Sequence, residues 1–226
     1  MNILIVEDDN DINKLLAEIL ESEGYNVKSA YSGTEAIMYL KLQDFEMILL
    51  DLMLPGLGGE KVLLEIRENK NMPIIIISAK DDKLTKIEML KSGADDFISK
   101  PFDIDEVVAR IETNFRRYKV DGSINLKEND LTFKEINLNT DTRIVTVNSK
   151  SINLTSREFD ILNLFIDNPK KVFTKSNLFE SIWAEDYMGD DNTINVHISN
   201  LRNKISKHAE YDYIQTIWGI GYKLEV

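Results

Sequence analysis

Short, nearly continuous hydrophobic runs punctuate the first half of the chain: Ile3 to Val6, Met47 to Leu50 and Pro73 to Ile77. Runs of this kind are expected of parallel strands covered by helices on both faces. Helical patterns alternate with them, over Asp11 to Glu23, Thr34 to Lys41, about Gly59 to Asn69, and Leu84 to Ser92. A last helix is predicted from about Asp103, whose side chain can cap it, to Arg117, with Ile104, Val107, Val108, Ile111 and Phe115 on its apolar stripe. The order is strand then helix, five times over. The segment KVDGSINLKEND is polar and rich in turn residues, and reads as a linker over residues 119–130 between a domain at 1–118 and another at 131–226.

Beyond the linker the period changes. Leu131 to Leu138, Ile144 to Val147 and Ser151 to Leu154 read as short strands separated by turn residues. LTSREFDILNLF then opens a helix with capping-box residues, Thr155 or Ser156 followed by Glu158 or Phe159, and Pro169 stops it. A shorter helix covers Lys175 to Trp183, and an acidic loop, Ala184 to Asp191, follows. The third helix places Ile194, Ile198, Leu201 and Ile205 at offsets of four, three and four, so one narrow face is expected to be buried. Its other side then carries Val196, Ser199, Asn200, Asn203 and Lys207, flanked by His197, Arg202 and Lys204. Asn195 is a further candidate contact, and no acid occurs from Thr193 through Ala209. His197 reads as a packing or phosphate-contact residue in preference to a metal ligand. The final YIQTIWGIGYKL reads as a hairpin with Gly219 and Gly221 near its tip. Strands, three helices and a terminal hairpin make a winged helix-turn-helix, so the fold class is α/β plus α+β.

In the first half, each apolar run stops at a polar residue with chemistry to offer: Glu7 and Asp8, Asp51, Ser78, and Lys100. In an open, doubly wound sheet, ligands bind outside the carboxyl ends of the strands, where the strand order reverses, so these residues are expected to meet in one pocket. Magnesium takes one or two carboxylates and keeps waters for a phosphate ligand, and a lysine ammonium stabilises charge on a transferring phosphoryl group. Three acids beside one lysine fit that chemistry, with Asp51 the carboxylate left to attack phosphorus.

ILIVEDD, MILLDLMLPGLGG, PIIIISAK and GADDFISKPF, in that order, resemble the response-regulator receiver family, with its flavodoxin-like (βα)5 fold. The resemblance implies that Asp51 is the phosphoryl acceptor. It also implies that Asp8, Asp51 and the backbone carbonyl of Met53 hold magnesium, or manganese in its place, with Glu7 acting mostly through water on the ion. Ser78 and Lys100 would contact the phosphoryl oxygens, and Phe97 matches an aromatic switch position. Lys100 and Pro101 match a pair that the family often joins by a cis bond. Lys86, Asp95, Asp96, Glu106, Arg110 and Arg117 match positions that pair across a dimer face in the family. LTSREFDILNLF, NVHISNLRNKI and IWGIGYKL resemble the DNA-binding half of the OmpR/PhoB subfamily. There the third helix enters the major groove, the hairpin, here with Thr216 and Trp218, reaches the adjacent minor groove, and the Ala184 to Asp191 loop faces RNA polymerase. The implied partners are a sensor histidine kinase, double-stranded promoter DNA, RNA polymerase, and a second copy of the chain on phosphorylation. Two departures matter. Ser199 and Asn200 stand where many members carry two arginines, and Trp218 stands where many carry an arginine at the wing. Trp218 is read as partly buried, with stacking on a sugar as the alternative.

Composition narrows the classes. An apolar fraction of 43% in 226 residues is enough for packed cores. There is no cysteine, which excludes disulfide and thiolate chemistry and fits a reducing cytosol. No apolar run approaches the length of a membrane span, so a soluble, cytoplasmic protein without a membrane partner is expected. The net charge is −12, with 15 basic and 23 acidic residues over Met1 to Lys119 and a balance of −4 in the remainder, so DNA contact must come from a local patch.

Two other classes share part of the pattern. A magnesium phosphohydrolase with an aspartyl intermediate needs a second acid poised for turnover, and the residue two beyond Asp51 is Met53. A DNA-binding regulator with a vestigial receiver would not keep Glu7, Asp8, Asp51, Ser78 and Lys100 together. The expected protein is therefore no conventional enzyme, although its receiver mediates its own phosphoryl transfer and slow dephosphorylation.

Overall fold

A computed structural model describes residues 1–116, 130–183 and 191–225. The linker up to 129, Arg117 and the acidic loop over 184–190 lie outside the described residues. The chain divides into two compact units, Met1–Ala109 and Arg110–Val226, with the division falling inside helix α5 (Ile104–Arg116).

The first unit alternates strand and helix: β1 (Asn2–Val6), α1 (Asn10–Ser22), β2 (Asn26–Ala30), α2 (Gly33–Leu42), β3 (Met47–Leu50), α3 (Gly59–Arg67), β4 (Ile74–Ser78), α4 (Lys83–Lys91) and β5 (Asp96–Ser99). All five strands are parallel, in the order β2-β1-β3-β4-β5. The continuous apolar runs are explained by burial on both faces. Leu4, Val6, Ile48, Leu50, Ile74 and Ile76 form one core with Ala36 and Leu40 of α2 and Val62, Leu63 and Ile66 of α3. Because successive strand side chains alternate faces, Ile3, Ile5, Leu49, Ile75 and Ile77 fill the other, and they are as fully buried. Helix starts follow local chemistry. Asp9 Oδ1 accepts the amides of Asp11 and Ile12, and Asp82 Oδ1 those of Leu84 and Thr85, each satisfying orphan donors of a first turn.

One expectation fails inside this unit. Asp95 and Asp96 read as charges on an exposed dimer face, yet they are 0% and 4% exposed. Asp95 Oδ2 accepts from Arg67 Nη2 at 2.7 Å and from the Ile74 amide at 2.9 Å. The same guanidinium donates to the carbonyls of Gly93, Lys70 and Met72. Asp95 thus fastens α3 to the ends of β4 and β5, and it has no surface to offer a partner. Asp96 Oδ1 accepts the amide of Phe97 at 2.8 Å.

In the second unit, β6 (Asp130–Phe133), β7 (Ile136–Asn139), β8 (Val145–Val147) and β9 (Lys150–Ile152) form an antiparallel sheet in chain order. The single strand expected over Leu131 to Leu138 is two, because the chain reverses at Lys134, which takes a positive φ of 52°, and Phe133 pairs with Ile136. Asn148 and Ser149 both have positive φ, the signature of a two-residue hairpin turn between β8 and β9. Then follow α6 (Ser156–Asp167), β10 (Phe173–Thr174), α7 (Lys175–Trp183), α8 (Asp191–Ser206) and the hairpin β11 (Ile214–Ile217) and β12 (Gly221–Leu224). Two-residue β10 joins β12, a strand that periodicity could not register. At the junction, Gly221 is obligatory, since a Cβ there would lie 1.9 Å from the Phe173 carbonyl oxygen. One core gathers Ile136, Leu138, Val145 and Val147 with Phe165, Trp183, Ile198, Leu201 and Leu224.

Replacing Asp95 by alanine would leave the Arg67 guanidinium without its carboxylate and the Ile74 amide without its acceptor. The expected cost is about 3 to 5 kcal/mol of unfolding free energy, as for one partner removed from a buried pair. Urea unfolding of the variant checks this. A loss below about 1 kcal/mol, the level of exposed pairs, would contradict the internal role.

Candidate functional site: a strand-end carboxylate cluster and a winged-helix surface

Four strand ends converge because the sheet register holds them level. Val6 pairs with Leu50, and Ser78 with Ser99. The Asp51 amide donates to the Val6 carbonyl at 2.9 Å and the Lys100 amide to the Ser78 carbonyl at 2.9 Å, so the residues that follow the strands inherit the register. Glu7 and Asp51 are buried and Asp8 is exposed, and each offers a carboxylate oxygen within 4.8 Å of the others. Lys100 Nζ donates to Glu7 Oε2 at 2.6 Å and to Asp51 Oδ2 at 2.7 Å. The other Asp51 oxygen, Oδ1, accepts the Met53 amide at 3.0 Å. The Lys100–Pro101 peptide is cis.

The electrostatics follow from this packing. Burial pushes the Glu7 carboxyl above the ordinary glutamate value, more than Lys100 pulls it back. Burial alone would lower the Lys100 ammonium, but its bonds to Asp51 and Glu7 outweigh that and hold its pKa above the ordinary lysine value. A hard divalent cation fits such a donor set: oxygen ligands only, one of them open to solvent, with a fixed cation on one side and charge left to neutralise.

Ser78 is fully buried, and its Oγ accepts the Lys80 amide at 3.3 Å. Phe97 is 3% exposed and packs in the core with Ile74 and Ile76, so its ring is already turned in. Two contributors escaped the sequence reading. Asn13, fully buried on α1, donates from Nδ2 to the Glu7 carbonyl at 2.9 Å and so pins the acidic pair. Its signal was present, as an amide in line with Leu16 and Leu20 on the inward stripe. Gly59 brings α3 against the backbone of Asp51, since a Cβ there would lie 2.1 Å from the Asp51 carbonyl oxygen. Of the positions read as a dimer face, Lys86 on α4 and Arg110 on α5 are half-buried and Glu106 is exposed.

The winged-helix surface departs more from expectation. Helix α8 is buried over a wide face, because it packs against both α6 and α7. Val196 is therefore 6% exposed and does not point outward, and His197 is 1% exposed with its ring 5.5 Å from that of Trp183. The outer stripe is half-buried Asn195 with exposed Ser199 and Asn203, continued by Lys207 just past the helix end, and Asn200 lies half-buried beside it. Two cations expected to face DNA are committed internally. Lys204 Nζ donates to Glu158 Oε2 at 2.6 Å, and that carboxylate, 0% exposed, also caps α6 by accepting the Thr155 amide. Arg202 donates from Nη2 to Thr216 Oγ1 at 2.9 Å and to the Ile214 carbonyl, and its guanidinium lies 5.7 Å from the Tyr222 ring. Trp218, expected to be partly buried, is 91% exposed, because the hairpin tip carries it clear of the core. A groove of about 620 Å³ runs between the start of α7, Asn195 of α8 and the hairpin, with Lys175, Ser176 and Thr216 in its walls.

Residues 3–112 match the response regulator receiver domain, and residues 149–224 match the C-terminal domain of transcriptional regulatory proteins. The transcriptional regulatory protein YcbL of Bacillus subtilis is 40% identical over 98% of this chain and 99% of its own. A RitR variant superposes with a TM-score of 0.79 at 27% identity, over 99% of this chain and 98% of that one. DrrB of Thermotoga maritima, an OmpR/PhoB homologue, does so with a TM-score of 0.51 at 27% identity, over 100% and 99%. No helix among the described residues is long and apolar enough to cross a membrane. With five parallel strands ending in an acidic cluster and a winged helix following, the chain belongs to the OmpR/PhoB subfamily of response regulators, transcriptional regulators that join a receiver domain to a DNA-binding domain.

Proposed function

We propose that Asp51 is the phosphoacceptor of this regulator, receiving its phosphoryl group from a sensor histidine kinase, and that the charge it gains favours a dimer that binds promoter DNA. The observation that carries this reading is the Asp51 carboxylate, bonded on one oxygen to Lys100 and on the other to the Met53 amide, within 4.8 Å of Glu7 and Asp8. A carboxylate held from two sides is positioned and not free to rotate, which is the main protein contribution to phosphoryl transfer. An Asp51 oxygen forms the bond to phosphorus as the bond from the donor nitrogen breaks. Lys100 is placed to shift from carboxylate to phosphoryl oxygen, and the Ser78 hydroxyl to meet another. Asp8, Asp51 and the Met53 carbonyl would hold magnesium, or manganese, with Glu7 beside them, and the ion when bound would supply charge neutralisation of the phosphoryl oxygens.

On this reading the receiver occupies 1–118 and the DNA-binding domain 131–226. Lys86, Glu106 and Arg110 remain as dimer-face residues, and charge pairs at a rim choose partner and register more than they supply affinity. On this reading phosphorylation biases a two-state surface, and some dimer forms without phosphate. The outer stripe of α8, Asn195, Ser199, Asn200, Asn203 and Lys207, enters the major groove, with Thr216 and Trp218 on the adjacent wing. RNA polymerase is the partner of the promoter-bound form.

Acetyl phosphate with magnesium is expected to label the protein at one hydroxylamine-sensitive site, and Asp51→Asn to abolish the label, because an amide is no anionic nucleophile. Full labelling of that variant, measured by intact mass, would overturn the assignment.

On DNA, Asn200→Ala is expected to cost about 1 to 3 kcal/mol and to relax preference at one base pair, and Lys207→Ala to weaken all sequences alike and flatten the salt dependence by about one unit. Lys204→Ala should behave differently. It strips the ammonium from the buried Glu158 carboxylate, so the thermal midpoint falls while the salt slope stays. Titrations against single-base variants at two salt concentrations, with thermal melts, separate the three. An unchanged melt with a flattened slope for Lys204→Ala would put that ammonium on a phosphate.

A further inference from the structure

Helix α1 turns one amide toward the interior. Its buried stripe is Asn13, Leu16 and Leu20, at offsets of three and four. Asparagine fits poorly there, because it is a weaker helix former than leucine and both of its polar atoms need partners inside the core. Only one finds them. Nδ2 donates to the Glu7 carbonyl at 2.9 Å and, at the longer distance of 3.4 Å, to the Ala30 carbonyl, while Oδ1 is buried without a hydrogen bond. A buried acceptor left unpaired destabilises a fold, so the reason for an amide at this position lies with its donor.

That donor holds the peptide that joins Glu7 to Asp8. A peptide unit is planar, so fixing its oxygen fixes the plane and with it the direction in which the Asp8 side chain leaves the backbone. The amide side of Glu7 is fixed as well, donating to the Ala30 carbonyl at 3.1 Å. The three carboxylates of the cluster differ in what else aims them. Glu7 and Asp51 are each bonded to Lys100, and Asp51 also to the Met53 amide. Asp8 is exposed, and among the described residues no hydrogen bond or ion pair holds its carboxylate. Its direction is set by its backbone, and the Asn13 bond anchors that backbone.

We propose that Asn13 is a positioning residue of the cation site: by holding the Glu7–Asp8 peptide, it keeps the Asp8 carboxylate turned to the same point as those of Glu7 and Asp51, within 4.8 Å. The inference rests on the reading of this cluster as a divalent-cation site. Residues that orient a ligand without touching the metal typically change its affinity by about 10- to 100-fold when removed. The effect on the fold is different in kind. Replacing the amide by an apolar group of similar shape removes the unpaired acceptor together with the donor, so loss and gain of stability offset one another.

Calorimetric titration of the full-length chain with magnesium, beside thermal melts without metal, tests this on two variants of the same stripe. Asn13→Leu, close in shape and a better helix former, should bind magnesium about tenfold more weakly, while its melting midpoint stays within about 3 °C of the wild type. Leu16→Ala opens a cavity under the same helix and leaves the Glu7 carbonyl bonded. It should do the reverse, with a midpoint lowered by about 10 °C and an affinity nearly unchanged. An Asn13→Leu chain that binds magnesium as the wild type does would overturn the proposal and leave the cation site standing. A midpoint that falls in step with affinity in Asn13→Leu would make the residue structural, and an equal loss of affinity in Leu16→Ala would trace the effect to the packing of α1. Either result overturns the proposal. If the wild-type chain takes up no magnesium, the cation-site reading itself fails, and the proposal with it.

Discussion

The Lys100 ammonium, 2.6 Å from Glu7 and 2.7 Å from Asp51, is the contact on which the receiver site depends. Carboxylates at the ends of β1 and β3 are brought together by sheet register alone, and their mutual repulsion in a partly buried pocket would raise the energy of that register. A cation delivered from the end of β5 removes the conflict. It can do so because the Lys100 amide is itself held by the Ser78 carbonyl, so backbone pairing aims the side chain. The same ammonium that stabilises the resting cluster is the group that a phosphoryl oxygen would draw away. On the proposed reading, structural support and chemical switch are one interaction.

Much of this was legible in the sequence, for a physical reason. Strands buried on both faces leave an uninterrupted apolar run, and a polar residue that ends such a run must lie at the sheet edge where the pocket forms. Glu7, Asp51, Ser78 and Lys100 announce themselves in that way. Asp95 does not. In GADDFISK it looks like half of a solvated acidic pair, and only a partner 28 residues away, Arg67, turns it into an internal fastening. The internal bonds of Lys204 and Arg202 were out of reach of the pattern for the same cause. Both lie on the flank of an amphipathic helix where periodicity predicts solvent, and both are captured by groups distant in sequence, Glu158 and the β11 strand. The width of the buried face of α8 was equally out of reach, because it depends on how many helices pack against it. Val196 and His197 are buried by a second neighbour that a single-helix pattern cannot reveal.

These captures reshape the DNA-facing surface. With two arginine positions occupied by Ser199 and Asn200, and with Arg202 and Lys204 drawn inward, the outer stripe of α8 offers amides, a hydroxyl and Lys207. A surface this poor in cations gains little from counterion release, so on the proposed reading its affinity comes mainly from base-edge hydrogen bonds and from pairing two half-sites. Control by assembly is consistent with such a surface, since a weakly bound single domain leaves room for a dimer to make the difference.

On the proposed reading, Lys100 and a divalent cation share the carboxylate cluster, each contacting it from its own side. Calorimetric titration of the metal-free chain with magnesium tests this most directly, in the wild type, Asp8→Asn and Lys100→Ala. The account predicts one bound ion for the wild type, its loss in Asp8→Asn, and binding at least as tight in Lys100→Ala, where a competing cation has been removed from Glu7 and Asp51. Loss of the ion in Lys100→Ala, with Asp8→Asn still binding normally, would contradict it.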